Sequence, residues 1–434
     1  MSTVSLPSYI APSVHRAPSY SAEPNQYEQR LAFVDRLRAR PSSDFVKESK
    51  GGGVRLRLSA QDDNASLPVY GLSDVVEGTV ELTKTEAVTC VEVKIEGRLK
   101  LKEIAEGGTA IAKLCLDTAL LWVKDQSRTE CPTSLQFALA LPSTFEYEEK
   151  TYPLPPTFGV KLSGLPGFVA TIDYTVTAIV EKPNGAPVKL KSKALGIHVG
   201  TTHVTTPFVY FPRSRPASPI PHPLQYTPNG FVNTPDWKLF ESVLYSKSPA
   251  RPNINVKFYI PAARVFCMTK SIPFHLSLES SSVSLAAFLP LSPSANTIGR
   301  KATRVQLMRQ TTVDVRNTVI AGVKTDMWRV DCIGEGIFKH AVGDAPTCIS
   351  YSGEIPLTGD DIKVPGFKAA GLSVKDCVLL TMNPTDPSKS PFSEIREVIP
   401  VRLSTDPWMA NGSGLGARRE SLLQPPTPPT PSSD

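Results

Sequence analysis

From Val91 to Lys102 the chain reads VEVKIEGRLKLK, an unbroken alternation. Val91, Val93, Ile95, Gly97, Leu99 and Leu101 fall on one side. Glu92, Lys94, Glu96, Arg98, Lys100 and Lys102 fall on the other. Successive strand side chains point to opposite faces, whereas a helix would mix these two sets. The pattern therefore demands a long β-strand with an apolar inner face and a charged outer one. Such a strand belongs to an antiparallel sheet solvated on one side.

The same period recurs. VRLRL (54–58), VVEGTVEL (75–82), LQFALAL (135–141) and FVATIDYTVTAIV (168–180) all alternate, and PNGAP (183–187) carries the Asn-Gly signal of a hairpin leading into VKLKSKAL. A second set follows: NVKFYI (255–260), IPFHLSL (272–278), RVQLMRQTTVDVR (304–316), MWRVDCIG (327–334), CVLLTM (377–382) and EIREVIPVRL (394–403). Many short strands parted by Gly, Pro and Ser argue for sandwiches. The expected fold is all-β, two tandem antiparallel β-sandwiches with disordered terminal tails. A chain of 434 residues has room for two or three domains.

Proline marks the boundaries. The chain has 41, about twice the ordinary share of ~5%. Residues 1–46 read as a disordered arm with a short helical turn in YEQRLAFVDRLRA (27–39). The first sandwich is expected over 47–206 and the second over 253–408. Residues 207–252 read as a Pro-rich linker or insertion holding one short helix, capped by Thr234, begun by Pro235, with Trp237, Phe240 and Leu244 on one face. The tail, 409–434, ends in QPPTPPTPSSD and reads as disordered.

The formal charge is +6, with Lys and Arg scattered among Asp and Glu, so no stripe tracks a phosphate backbone and nucleic acid is not an expected partner. Seven Cys, at 90, 115, 131, 267, 332, 348 and 377, form no CxxC. An odd, sparse set fits reduced thiols rather than a disulfide framework. The N-terminus has no apolar h-region and no run of about 18 apolar residues occurs, so a cytoplasmic protein is expected.

Catalytic signatures are missing from the sequence. GxSxG, HExxH and GxxxxGK[ST] do not occur, and NGSGLG (411–416) lies in the Pro-flanked tail. His198 and His203 stand five apart, on opposite faces of a strand, among the six His (15, 198, 203, 222, 275 and 340). A metal needs convergent ligands, so no metal and no cofactor is expected. The acid pairs Asp62/Asp63, Glu148/Glu149 and Asp360/Asp361 sit beside turn residues and read as loop carboxylates.

The informative motifs are linear. LPSY (Leu6, Pro7, Tyr9) and APSY (Pro18, Tyr20) share Pro-x-Tyr in the arm. Proline predisposes the chain to polyproline II, which WW domains read through an aromatic groove with a pocket for Tyr. Both motifs lack the first Pro of Pro-Pro-x-Tyr, so their grip should be looser. QPPTPPTP (424–431) could engage an SH3 or WW module. Candidate phosphosites are Ser421, after two Arg, and Ser218, Thr427 and Thr430, each before Pro.

LPVYGLSDVVEGTVEL (67–82) followed by VTCVEVKIEGRLKL (88–101) resembles the start of an arrestin N-domain. Tyr70, Asp74, Gly78, Val80, Leu82, Val93 and Gly97 carry the likeness, and Ser73 stands where the family has Gly. YPLPPTFGVKLSG (152–164) and GFVATIDYTVTAIVEK (167–182) are similar to later N-domain strands, and VKFYIPAARVFCMTKSIPFHLSLES (256–280) to the opening of an arrestin C-domain. The resemblance spans 47–408 and is to fungal alpha-arrestins. It implies two sandwiches joined by a hinge and no catalysis. It implies an adaptor that bridges membrane cargo, such as transporters or receptors, to HECT ubiquitin ligases whose WW domains hold Pro-x-Tyr. Cargo is then internalised and sorted, and the adaptor reaches the plasma membrane or endosomes through it. The alternatives are a ligase-independent, retromer-like trafficking scaffold, an extracellular adhesive sandwich protein, and an unrecognised hydrolase.

Overall fold

The structure is a computed structural model. It describes residues 24, 27–31, 43–61, 66–104, 108–126, 130–162, 167–183, 200–293, 301–316, 324–340, 345–357, 362–383, 388 and 390–410. The N-terminal half holds β1 (Glu28–Leu31), β2 (Ser43–Glu48), β3 (Val54–Gln61), β4 (Val69–Tyr70), β5 (Val75–Leu82), β6 (Cys90–Glu103), β7 (Thr109–Val123), β8 (Ser134–Ala140), β9 (Thr144–Tyr147), β10 (Lys150–Pro153), β11 (Phe158–Leu162), β12 (Phe168–Glu181) and β13 (Thr201–Tyr210). Then come β14 (Arg213–Pro216), β15 (Tyr226–Thr227), β16 (Gly230–Phe231), β17 (Trp237–Leu244), β18 (Ile254–Pro261), β19 (Val265–Cys267), β20 (Ile272–Glu279) and α1 (Ser282–Phe288). The chain closes with β21 (Thr303–Arg316), β22 (Lys324–Glu335), β23 (Ile337–His340), β24 (Cys348–Ile355), β25 (Phe367–Ala369), β26 (Leu372–Met382) and β27 (Ile395–Ser404).

These strands make two β-sandwiches with one plan. In the first, sheet β2-β3-β5-β8 faces sheet β4-β13-β12-β6-β7, with β11 also on β12. In the second, β17-β18-β20-β24 (extended by β23) faces β19-β27-β26-β21-β22, with β25 also on β26. Apart from the β9–β10 hairpin and β23, which have no counterpart, the strands of these sheets correspond in chain order. Even the parallel pairs match, β4 with β13 and β19 with β27.

The alternation read from the sequence is what builds the first core. Val91, Val93, Ile95 and Leu99 of β6 are fully sealed, as are Val176 and Ala178 of β12, and they meet Leu56, Leu58, Val76 and Val80 of the facing sheet. Each large aliphatic side chain buried this way contributes about 1.5–3 kcal/mol relative to exposure. Gly97 is in this row because nothing larger fits, a Cβ there lying 2.6 Å from the Tyr174 ring.

The structure departs from the sequence reading in four places. The Pro-rich stretch 207–252 is no bare linker, because it completes β13 and supplies β14, the β15–β16 hairpin and β17. Residues 237–244 form a strand, not a helix. Trp237, Phe240 and Leu244 fit a helical face, but antiparallel pairing of the whole segment with β18 decides the outcome. The helical turn placed at 27–39 is instead a strand at Glu28–Leu31, because that segment pairs with β14, while 32–39 lie outside the described residues. Finally, α1 was missed. Its signal is Ser281, whose hydroxyl accepts the Ser284 N–H as an N-cap. The hairpin signal at 184–187 lies outside the described residues.

Candidate functional site

The two sandwiches meet along a seam with an ionic side and an apolar side. On the ionic side, β14 is zipped to the end of β27. Ser214 N–H donates to Thr405 Oγ1 at 2.9 Å, and Asp406 N–H donates to Ser214 O at 2.9 Å. Arg213 grips Asp406 with two prongs, Nη2 to Oδ1 at 2.6 Å and Nε to Oδ2 at 3.1 Å. A planar guanidinium matches a carboxylate in this way, which fixes orientation as well as distance.

The N-terminal arm is tied into the same place. β1 pairs antiparallel with β14, Glu28 opposite Pro216 and Leu31 opposite Arg213. Arg215 Nε donates to Gln29 Oε1 at 2.9 Å. Glu28 faces Arg402 of β27 at 3.0 Å, with side chains only 4% and 10% exposed. A charge this deeply buried is tolerated because it is paired. Three segments distant in sequence thus converge at one point, the arm, the connector and the last strand.

On the apolar side, the C-terminal sandwich inserts into the N-terminal core. Val313, Val364, Phe367, Ala369, Leu372 and Val374 belong to the same buried cluster as β6 and β12. Phe367 meets Phe158 edge-on with ring centroids 5.1 Å apart. The loop carrying Val364 is held by Arg309, which donates to Val364 O at 3.0 Å while clasping the sealed Asp376 at 2.8 and 3.0 Å. Beside this contact lies a cleft of 240 Å³ lined by Leu101, Tyr147, Lys150, Thr312, Lys368 and Ser373 among others.

A third feature is a 730 Å³ groove bounded by Tyr27, Ser218–Gln225, Thr234–Asp236 and Phe266. Ser218 is exposed at its rim. The groove wall is fixed through His275 of β20, whose Nε2 accepts the Leu224 N–H at 3.2 Å and whose Nδ1 lies 2.8 Å from Ser352 Oγ. Trp237 and Phe231 rings pack on that imidazole at 4.6 and 4.5 Å. Burial disfavours its cation and pulls the His275 pKa down to about 4.

Of the sequence-predicted residues, Leu6, Pro7, Tyr9, Pro18, Tyr20, Ser421, Thr427 and Thr430 lie outside the described residues, and Ser218 alone is placed. Glu148 and Glu149 form the β9–β10 turn with φ of 48° and 61°. Among the described residues no three His, Cys, Asp or Glu gather as metal ligands, and no helix is long and apolar enough to cross a membrane. Sequence reasoning missed the seam because its partners lie far apart, Arg213 and Asp406 by 193 positions. The one available hint was two Arg, 213 and 215, inside a stretch otherwise read as spacer.

Compared with models of protein families and with curated proteins, the chain matches none.

Proposed function

We propose that this protein is a non-enzymatic cytoplasmic adaptor of the arrestin-like kind, linking membrane cargo to a WW-domain ubiquitin ligase of the HECT type for endocytosis and sorting. The observation that supports it best is the anchoring of the arm. The segment bearing Pro7–Tyr9 and Pro18–Tyr20 runs directly into β1, which is clamped at the seam by Glu28–Arg402 and Gln29–Arg215. Tyr20 is eight residues from Glu28, so the chain lets it lie no farther than about 29 Å from Glu28. A ligase holding that tyrosine is thereby kept close to both sandwiches and to whatever they carry. Short tethers of this kind raise effective concentration without any new contact.

In this reading the solvated sheet faces take the cargo's cytosolic segment, the arm takes the ligase, and transfer of ubiquitin is the ligase's chemistry. The test is pull-down of the full-length protein by a panel of isolated WW domains, with Tyr9→Ala, Tyr20→Ala and the double variant. Capture that requires the tyrosines supports the reading. Capture indifferent to both tyrosines, or no capture, removes the arm mechanism.

A further inference from the structure

The outer face of the large N-terminal sheet changes charge along its length. On β6 the outward residues run Glu92, Lys94, Glu96 and then Arg98, Lys100, Lys102. The basic half sits in a lattice four strands wide. Arg98 lies opposite Lys113 of β7 and Asp173 of β12. Lys100 lies opposite Ile111 and Thr171, and Lys102 opposite Thr109 and Val169. Val169 in turn lies opposite Lys161 of β11. Arg98, Lys100, Lys102, Lys113 and Lys161 are all exposed. Their acidic neighbours are few, Asp173 and Glu96 with Glu103 beside Lys102 at the strand end, and Glu96 is already held by Arg98 at 2.6 Å. Two large aliphatic side chains stand out among the lysines, Ile111 at 64% exposure and Ile104 at 47%.

We infer that this face is a docking surface for an anionic lipid bilayer. An acidic peptide would suit a groove or a single row of charges. Here the charges are spread in two dimensions over one sheet face, as a plane of headgroups requires. Exposed isoleucines beside the lysines gain by entering the boundary between headgroups and acyl chains. Basic residues near an anionic leaflet each strengthen partitioning roughly fivefold, and salt screens the effect. The contact is made by this chain's own residues, so it is independent of the arm and of any cargo.

The test is co-sedimentation of the full-length protein with vesicles of phosphatidylcholine alone and of phosphatidylcholine with phosphatidylserine. The expected result is binding to the anionic vesicles only, falling as salt rises. Lys100→Glu/Lys102→Glu/Lys161→Glu should weaken it by a hundredfold or more. Ile104→Ser/Ile111→Ser should weaken it severalfold with the charge unchanged, which separates insertion from simple attraction. Lys47→Glu/Lys238→Glu, on exposed positions of other strands, should leave it intact, and unchanged thermal unfolding should accompany every variant. Wild-type protein that ignores anionic vesicles overturns the inference. So does binding that the lysine variant retains. Equal, patch-dependent capture of a soluble polyglutamate peptide, without vesicle binding, also overturns it in favour of an acidic peptide partner.

Discussion

Glu28 and Arg402 lie 3.0 Å apart although one begins the first strand and the other belongs to the last. Removing one partner of a buried pair strands the other's charge, at a cost of about 3–5 kcal/mol. Glu28→Ala should therefore lower the urea midpoint strongly. Glu28→Ala with Arg402→Met should recover much of the loss. A double-mutant cycle checks the coupling, and independent, additive effects would count against it.

Phe367 is the apolar counterpart. It reaches from β25 to Phe158 and is 7% exposed. Phe367→Ala should cost about 3–5 kcal/mol. Because the contact spans the two sandwiches, small-angle scattering of the variant should also show a larger radius of gyration. A stability loss with unchanged dimensions would place the residue in one sandwich's economy alone.

At Gly97 even one methyl group would collide with Tyr174 at 2.6 Å and with the Cys115 sulfur at 2.9 Å. Tyr174 cannot easily retreat, since its hydroxyl donates to Pro155 O at 2.6 Å. Gly97→Ala should destabilise by about 1–3 kcal/mol. Chemical denaturation should show a lower midpoint at constant slope.

Ser73 adopts φ 59°, a left-handed conformation unfavourable for a residue with a Cβ, beside Asp74, whose Oδ2 accepts the Gly71 N–H at 2.6 Å. Relief of that conformation is worth about 1 kcal/mol. Ser73→Gly should raise the melting temperature by about 1 °C if the 434-residue chain unfolds as one unit, and by about 2–4 °C if the first sandwich unfolds by itself.

His275 gives the pH dependence. Its folded pKa, about 4, is below the value of an unfolded histidine, so between these values the unfolded chain binds the extra proton. Its contribution is complete above about pH 6.5 and is lost as pH falls toward 4, by up to ~3 kcal/mol. The groups it touches among the described residues, the Leu224 N–H, Phe231, Trp237, Ser352 and cross-strand Tyr259, include no carboxylate to offset this. Unfolding free energy measured across that range should slope less in His275→Asn than in the wild type.

The sandwiches were legible because their strands obey one rule with few exceptions. β5 and β6 appear within a residue of where alternation puts them. β7 was not legible because it carries two irregularities against β6, at Val91/Glu92 and Gly97/Arg98. Each inserts an extra residue and reverses the phase, so Leu114 and Cys115 are both buried and no alternation survives. β17 hid behind proline and an apolar spacing that suits either element. The seam hid for a different reason. Its ionic contacts are set by how two folded bodies meet, and no local pattern encodes that. The basic sheet face was visible in part, as the charged half of β6, but its extent depends on Lys113 and Lys161 from neighbouring strands.

The arm strand β1 also fixes an order of events during synthesis. Its sheet partner β14 emerges 186 positions after Gln29, judged by Arg215. Arg402, the partner of Glu28, emerges 374 positions after it. At 5–20 residues per second a ribosome needs roughly 20–75 s to cover that span. For this interval the first sandwich can be complete while the arm has no counter-charge to close on. The last strand made is the one that locks the first, so a nascent chain is distinguishable from a finished one at its own N-terminus.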